Sequence, residues 1–266
     1  MYTFKSIYLD YPIITGRIYD IFEPETITKD TAIFFVHGGG WRGGSRTKFH
    51  EIMQAYNNLG YIVASTDYKL YAKDAFEQVK DIREAYDNFI SYLKEKGRPL
   101  KVAVFGESAG AHIAALMCYV KPNGLDENCV LKNEWVKPEC VILSSCPHNF
   151  YHWEGIMTAI WNGMKSIAGG SYETDYDKYV KLSVENYIDE NNPRTFYVEA
   201  EREHFFDNQA TKEICKKQNQ MGIKSFWKLY SKMEHGFFYE LKRNAQKEAF
   251  QDIADFIEGR LNCNND

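Results

Sequence analysis

Apolar and polar positions follow two different rhythms along this chain. Short runs that are apolar at nearly every position are typical of strands buried on both faces of a sheet. Such runs cover residues 31–36, 61–65, 101–105, 139–144 and 195–198, and a last strand is predicted at 225–230. Near the N-terminus, residues 4–9 and 17–22 alternate apolar with polar side chains, which predicts two antiparallel strands around a turn at Pro12.

Between these strands, apolar residues recur at intervals of three and four positions, which predicts amphipathic helices. The predicted helices cover residues 48–59, 74–96, 109–119, 208–221 and 243–261. Gly60 and Gly222 directly follow two of them, where glycine commonly ends a helix. Alternating strands and helices predict an α/β fold with a mostly parallel central sheet and helices on both faces. We expect residues 1–266 to form a single domain.

The alternation breaks off between residues 147 and 192, which we expect to form a small cap insertion over the site. The stretch contains Gly169-Gly170 and many rings: His148, Phe150, Tyr151, Trp153, Trp161 and Tyr172. These rings either wall a binding pocket or form the core of the cap itself. The pattern does not choose between the two.

Composition and charge exclude several classes of function. The formal net charge is −5 and no stripe of lysine or arginine is present, so we expect no nucleic-acid partner. The apolar runs are far shorter than the ~20 residues of a membrane helix, and the N-terminus has no signal-peptide pattern. We therefore expect no membrane partner and take the cytoplasm as the default location.

The cysteines show no Cys-x-x-Cys spacing, which argues against a zinc site or a redox pair. We expect free thiols, no metal and no cofactor. The six cysteines are Cys118, Cys129, Cys140, Cys146, Cys215 and Cys263.

Ser108 lies in the sequence Gly-Glu-Ser-Ala-Gly at residues 106–110. This pattern is typical of a sharp turn that lifts a nucleophilic serine above a sheet, provided that a buried strand precedes it and a helix follows. Both conditions are met, because the predicted strand 101–105 ends at the motif and residues 109–119 are rich in helix formers. We therefore expect Ser108 to be a nucleophile.

A second motif, His-Gly-Gly-Gly-Trp, follows the predicted strand 31–36. Its glycines allow backbone N–H groups to approach a tetrahedral oxygen without obstruction from a side chain. The candidate oxyanion donors are the N–H groups of Gly39, Gly40 and Ala109. The two motifs together predict acyl transfer to water.

His235 is the candidate base, because it lies just past the last predicted strand, at the edge of the sheet where ligands bind in open α/β folds. A serine nucleophile needs such a base within hydrogen-bond reach. The other histidines are assigned lesser roles: His37 orients the glycine loop, His112 packs in its helix, His204 flanks the site, and His148 and His152 are surface or cap residues.

The base in turn needs a carboxylate, which follows the serine and precedes the histidine in this architecture. The loop after residues 195–198 offers Glu199, Glu201, Glu203 and Asp207. Glu203 is favoured because it falls where the loop should reach the top of the sheet. Asp207 is the alternative, although its position suits the N-cap of the following helix.

These residues resemble the α/β-hydrolase superfamily, and within it the His-Gly-Gly-Gly esterase/lipase group of hormone-sensitive-lipase-like and feruloyl-esterase-like carboxylesterases. Residues 66–70 (Thr-Asp-Tyr-Lys-Leu) are similar to the group's Asp-Tyr-Arg-Leu segment. Residues 203–207 are similar to its Asp-x-x-x-Asp loop, whose first acid is the catalytic one, which supports Glu203. The resemblance implies a catalytic triad of Ser108, His235 and Glu203.

The expected function is that of a serine carboxylesterase acting on a small-molecule ester, without cofactor. Trp41 and Trp153 are the candidate substrate contacts. An amidase or formamidase of the kynurenine-formamidase type, using the same residues, is the alternative enzyme. A non-catalytic binding protein on the same fold is the remaining hypothesis.

Overall fold

The computed structural model describes residues 3–10, 13–14 and 16–262. Its centre is an eight-stranded sheet in which β3 to β8 run parallel and β1 and β2 run antiparallel to their neighbours. The strands are β1 (Lys5–Tyr8), β2 (Ile18–Phe22), β3 (Thr31–Val36), β4 (Val63–Thr66), β5 (Lys101–Glu107), β6 (Cys140–Ser144), β7 (Arg194–Arg202) and β8 (Phe226–Glu234). Their order across the sheet is β1-β2-β4-β3-β5-β6-β7-β8, which confirms the predicted α/β architecture.

Seven α-helices accompany the sheet in the described part of the chain. They are α1 (His50–Asn58), α2 (Ala75–Glu95), α3 (Ala109–Tyr119), α4 (Thr158–Ala168), α5 (Tyr176–Leu182), α6 (Asn208–Gln220) and α7 (Asn244–Ile257). Short 3₁₀ turns at Arg46–Phe49 and Val184–Tyr187 precede α1 and follow α5. The glycines expected to end two helices do so in left-handed conformation, with φ of +93° at Gly60 and +83° at Gly222.

The core lies on both faces of the sheet, because successive residues of a strand point to opposite sides. In β5, Val102 and Val104 pack on the face covered by α2, α3 and α6. Ala103 and Phe105 pack on the opposite face, which α1 and α7 cover. Burial on both faces explains why this strand is apolar without alternation.

The predicted pairing of the two N-terminal strands is confirmed by the antiparallel register of β1 with β2. The turn residue Pro12 lies outside the described residues, as does Cys263. Cys118, Cys129, Cys140 and Cys146 are buried free thiols, as predicted.

Residues 147–192, named here the inserted segment, join β6 to β7. The sequence pattern assigned no helix or strand to this segment, which was expected to form a small cap insertion; the structure shows that it contains α4 and α5. Three of its rings pack on one another: those of Trp161 and Tyr172 have centroids 5.0 Å apart, and those of Tyr172 and Tyr179 4.9 Å apart. These contacts favour the interpretation that part of the aromatic insertion is packing core, and this core is continuous with the one beside α2 and α3.

Candidate active site

Ser108 occupies the sharp turn between β5 and α3. Its backbone has φ 54° and ψ −122°, a strained conformation for a residue with a side chain. The flanking glycines allow the turn to close: a Cβ at Gly106 would lie 2.5 Å from Ala111 Cα, and one at Gly110 would lie 2.3 Å from the carbonyl oxygen of His37. The Gly-x-Ser-x-Gly spacing thus has a steric cause. In this turn the Ser108 residue is half-buried.

The structure brings Ser108, His235 and Glu203 together. His235 directly follows β8, and its Nε2 lies 2.7 Å from Ser108 Oγ. Its Nδ1 lies 2.8 Å from Glu203 Oε2. The histidine therefore stands between a hydroxyl and a carboxylate, within hydrogen-bond distance of both.

Glu203 is held as an anion by the donors around it. Its other oxygen accepts hydrogen bonds from the backbone N–H groups of His204 and Phe205, at 3.0 and 2.9 Å. Burial opposes ionisation, but the hydrogen bonds from His235 and Phe205 outweigh it and lower the pKa of Glu203. Asp207 is instead exposed and caps α6, accepting a hydrogen bond from Gln209 N at 2.8 Å.

Gly39 and Gly40 form a tight turn beside the serine. Both have positive φ, +135° and +57°, and Gly43 N donates to Gly39 O at 2.8 Å. Among the described residues, no hydrogen-bond acceptor faces the backbone N–H of Gly39, Gly40 or Ala109. Three unpaired N–H groups near a serine can donate hydrogen bonds to an anionic oxygen.

The neighbouring Gly38 fixes this turn against the serine. A Cβ at Gly38 would lie 2.6 Å from the Glu107 carbonyl oxygen and 3.0 Å from Ser108 Cβ, so glycine is required for the close approach to this backbone. Gly38 N donates to the hydroxyl of Tyr239 at 2.9 Å. Sequence reasoning missed Tyr239, because nothing in its neighbourhood of the chain marks a contact with a residue 201 positions away.

The two tryptophans proposed as substrate contacts occupy different surroundings. The Trp41 side chain is buried, with its ring 5.3 Å from that of Phe150. Trp153 is half-buried at the surface of the core. Their contact with substrate stays a prediction.

Glu107, the variable residue of the serine motif, is a further group that sequence reasoning left unassigned. Its carboxyl is fully buried at the end of β5, and burial raises its pKa to about 7, opposed by the nearby His235. The sequence could have identified Glu107 as a residue of the site, because an acid directly before the nucleophile must lie in the same turn.

The described residues offer neither a metal-binding cluster nor a helix able to cross a membrane. No group of three or more His, Cys, Asp or Glu residues in residues 3–10, 13–14 and 16–262 is arranged to hold a metal ion. Within the same ranges, no helix has the length and apolar character needed to cross a membrane.

Solved structures with a similar fold include two esterases. Esterase B from Lactobacillus rhamnosis, in complex with a tributyrin phosphonate inhibitor, matches 97% of this chain and 85% of its own, with a TM-score of 0.82 and 16% identity. Native esterase 2 from Thermogutta terrifontis matches 94% of this chain and 90% of its own, with a TM-score of 0.70 and 18% identity. At these identities the likeness shows the fold.

Curated relatives match over shorter stretches. Arylacetamide deacetylase of Rattus norvegicus is 34% identical over 113 residues, which is 40% of this chain and 28% of that protein. Kynurenine formamidase of Drosophila melanogaster is 31% identical over 108 residues, 40% of this chain and 36% of that protein. The matched stretches thus span about a third of these relatives.

A family model covers most of the chain. The BD-FAE model matches residues 19–217, from β2 into α6. This range includes the glycine turn, the serine turn and Glu203, while His235 lies beyond it. The chain therefore belongs to the BD-FAE family, in the His-Gly-Gly-Gly esterase/lipase group of α/β-hydrolases.

Proposed function

We propose that this protein is a serine carboxylesterase that cleaves small carboxylic esters through an acyl-enzyme intermediate. The observation that carries the proposal is the position of His235 between Ser108 Oγ at 2.7 Å and Glu203 Oε2 at 2.8 Å. A serine hydroxyl becomes a nucleophile when an adjacent base removes its proton, and a carboxylate holds that base in the required tautomer.

In the proposed reaction, Ser108 Oγ attacks the ester carbonyl and gives its proton to His235 Nε2. Glu203 accepts a hydrogen bond from the Nδ1–H group of His235 and stabilises the imidazolium. The N–H groups of Gly39, Gly40 and Ala109 then bind the oxyanion, each such donor contributing about 3 kcal/mol to the barrier reduction. His235 next protonates the leaving alcohol and activates the water that releases the acid.

The surroundings of His235 suit an apolar ester. The rings of Phe205 and Phe206 lie 4.7 and 5.8 Å from the His235 ring, and both side chains are half-buried. They form an apolar wall where the leaving group must depart. Arylacetamide deacetylase and the esterases of similar fold support a substrate with a carboxylic acyl group.

Removal of the nucleophile tests the proposal. Ser108→Ala should abolish hydrolysis of p-nitrophenyl acetate while its circular dichroism and Tm match the wild type. Ser45→Ala is the matched control and should retain turnover, because the Ser45 hydroxyl lies in a loop after the glycine turn and hydrogen-bonds the hydroxyl of Thr47. Undiminished hydrolysis by Ser108→Ala would contradict the proposal.

A formamidase activity on the same residues is the second candidate, favoured by the likeness to kynurenine formamidase over 108 residues. Comparing kcat/KM for N-formyl substrates with that for acetyl, feruloyl and longer acyl esters separates the two. Higher kcat/KM for the formamide would replace the esterase assignment. Absence of turnover on every substrate would favour the non-catalytic binding protein.

A further inference from the structure

The glycine turn and the inserted segment meet at one buried pair of side chains. Trp41, which follows the turn, donates from its indole Nε1–H to His112 Nδ1 at 3.2 Å. His112 Nε2 lies 2.7 Å from the carbonyl oxygen of Leu182, at the end of α5. Phe150 stacks on His112 with centroids 4.5 Å apart and lies 5.3 Å from the Trp41 ring.

These two hydrogen bonds determine the state of the imidazole. An indole N–H can only donate, so His112 Nδ1 must carry no proton; a carbonyl can only accept, so Nε2 must carry one. His112 is therefore neutral, with one defined tautomer. His112 is also fully buried, so no water replaces either partner.

The two hydrogen bonds that join Trp41 through His112 to Leu182 are called the bridge. The backbone of Trp41 explains why this bridge matters. Trp41 has φ 61°, a left-handed conformation that a bulky side chain keeps only when its surroundings hold it. Gln78 Nε2 holds its carbonyl oxygen at 2.7 Å, and His112 holds its indole. Gly39 and Gly40 directly precede Trp41, so a shift of Trp41 moves their N–H groups relative to Ser108.

We propose that His112 is a positioning residue that holds Trp41, and through it the amides of Gly39 and Gly40, in the geometry needed beside Ser108. The inserted segment takes part, because its Leu182 carbonyl orients the His112 ring. The proposal rests on the proposed esterase function. It adds a role for a residue whose side chain hydrogen-bonds neither the nucleophile nor the base in any described contact, although its backbone N–H donates to the Ser108 carbonyl oxygen at 3.1 Å.

Four variants separate the two hydrogen bonds. His112→Leu removes both hydrogen bonds. Trp41→Phe removes the bond from the indole N–H, together with part of the ring, and leaves the bond to Leu182. His112→Asn keeps an acceptor near Nδ1, and His112→Gln keeps a donor near Nε2. Tyr119→Phe is the matched control, because it removes buried hydrogen bonds to Thr195, Tyr197 and Gln218 from the far end of α3.

We expect kcat for p-nitrophenyl acetate to fall about 10- to 100-fold in His112→Leu and Trp41→Phe, with KM within about threefold, because oxyanion donors act mainly in the transition state. The double variant His112→Leu/Trp41→Phe should lose no more kcat than the more impaired of the two single variants. His112→Asn should retain a higher kcat than His112→Gln. Tyr119→Phe should keep wild-type kcat even if its Tm falls. Folded His112→Leu and Trp41→Phe with kcat within about twofold of wild type would overturn the proposal.

Ring ¹⁵N chemical shifts provide a readout that does not depend on turnover. They should show His112 protonated at Nε2 and bare at Nδ1, and Trp41→Phe should shift only Nδ1 strongly. A proton on Nδ1 would overturn the bridge even if His112→Leu fails to fold. Failure of the proposed esterase function is recognised separately. In that case the wild-type protein shows no turnover, or Ser108→Ala hydrolyses the ester as fast as wild type.

Discussion

Mild acid should destabilise this protein, because His148 stays neutral in the folded state and takes up a proton when the chain unfolds. His148 is 5% exposed, and neither ring nitrogen has a hydrogen-bond partner among the described residues. Burial, with a smaller contribution from His112, lowers the pKa of His148 from 6.5 to about 3. The stability that comes from keeping this ring neutral is therefore fully present above about pH 6.5 and is lost as the pH falls toward 3.

The linkage relation sets the magnitude. Between about pH 8 and about pH 4.5, the unfolded chain takes up a proton at residue 148 that the folded protein excludes, which costs about 3 kcal/mol. Glu107 acts in the opposite sense, because burial raises its pKa to about 7 and acid neutralises it. A comparison of His148→Leu with wild type at each pH cancels this contribution, since Glu107 is present in both proteins.

Urea unfolding followed by tryptophan fluorescence measures the effect. Relative to wild type, the free energy of unfolding of His148→Leu should rise by about 3 kcal/mol when the pH is lowered from about 8 to about 4.5. Val184→Ala, a buried and non-titratable control in the same inserted segment, should differ from wild type equally at both pH values. A difference between His148→Leu and wild type that does not change with pH would refute the reasoning.

Three further substitutions probe other parts of the fold. Gly106→Ala should lower the free energy of unfolding by about 1–3 kcal/mol or more, because the new Cβ would lie 2.5 Å from Ala111 Cα; a wild-type Tm would contradict this. In urea unfolding, Glu107→Gln should raise the free energy of unfolding relative to wild type by about 3 kcal/mol more at pH 8 than at pH 5. The reason is that the stability from a protonated Glu107 in the wild type is lost as the pH rises from 4.5 to about 7. An effect of the substitution that does not change with pH would argue against this. Arg83→Met should lower the free energy of unfolding by about 3–5 kcal/mol in the same assay, because Arg83 Nε and Glu127 Oε1 form a fully buried ion pair at 3.0 Å. A decrease below about 1 kcal/mol would contradict this prediction.

The strand ends at the candidate site were harder to predict than the strand centres. The pattern predicted strands at 195–198 and 225–230, but β7 continues to Arg202 and β8 to Glu234. The β8 extension is largely polar and exposed, whereas the β7 extension begins with the buried Glu199 and Ala200 and ends with the exposed Glu201 and Arg202. Neither extension has the continuous apolar run that marks a buried strand. Main-chain pairing between the two strands, which reaches Arg202 and Glu234, extends them instead and brings His235 to the edge of the sheet.

The histidines show a similar limit. His112 was expected only to pack in its helix, and His148 to be a surface or cap residue. Both are buried, and the partners of His112 lie 71 and 70 positions away, at Trp41 and Leu182. A hydrogen bond between such distant residues leaves no periodic signal in the chain.

The sequence by itself determined the features that depend on near neighbours. These are the order of strands and helices outside the inserted segment, the serine turn with its two required glycines, and the glycine-rich turn after β3. They follow from the sequence because backbone sterics and helix or strand periodicity act over a few residues. Tertiary structure alone decided which carboxylate meets His235, since both Glu203 and Asp207 follow β7 and only the fold brings one within 2.8 Å. It also decided the contact of His235 with Ser108, 127 positions away, and the bridge from Trp41 to the inserted segment, because long-range packing selects these partners.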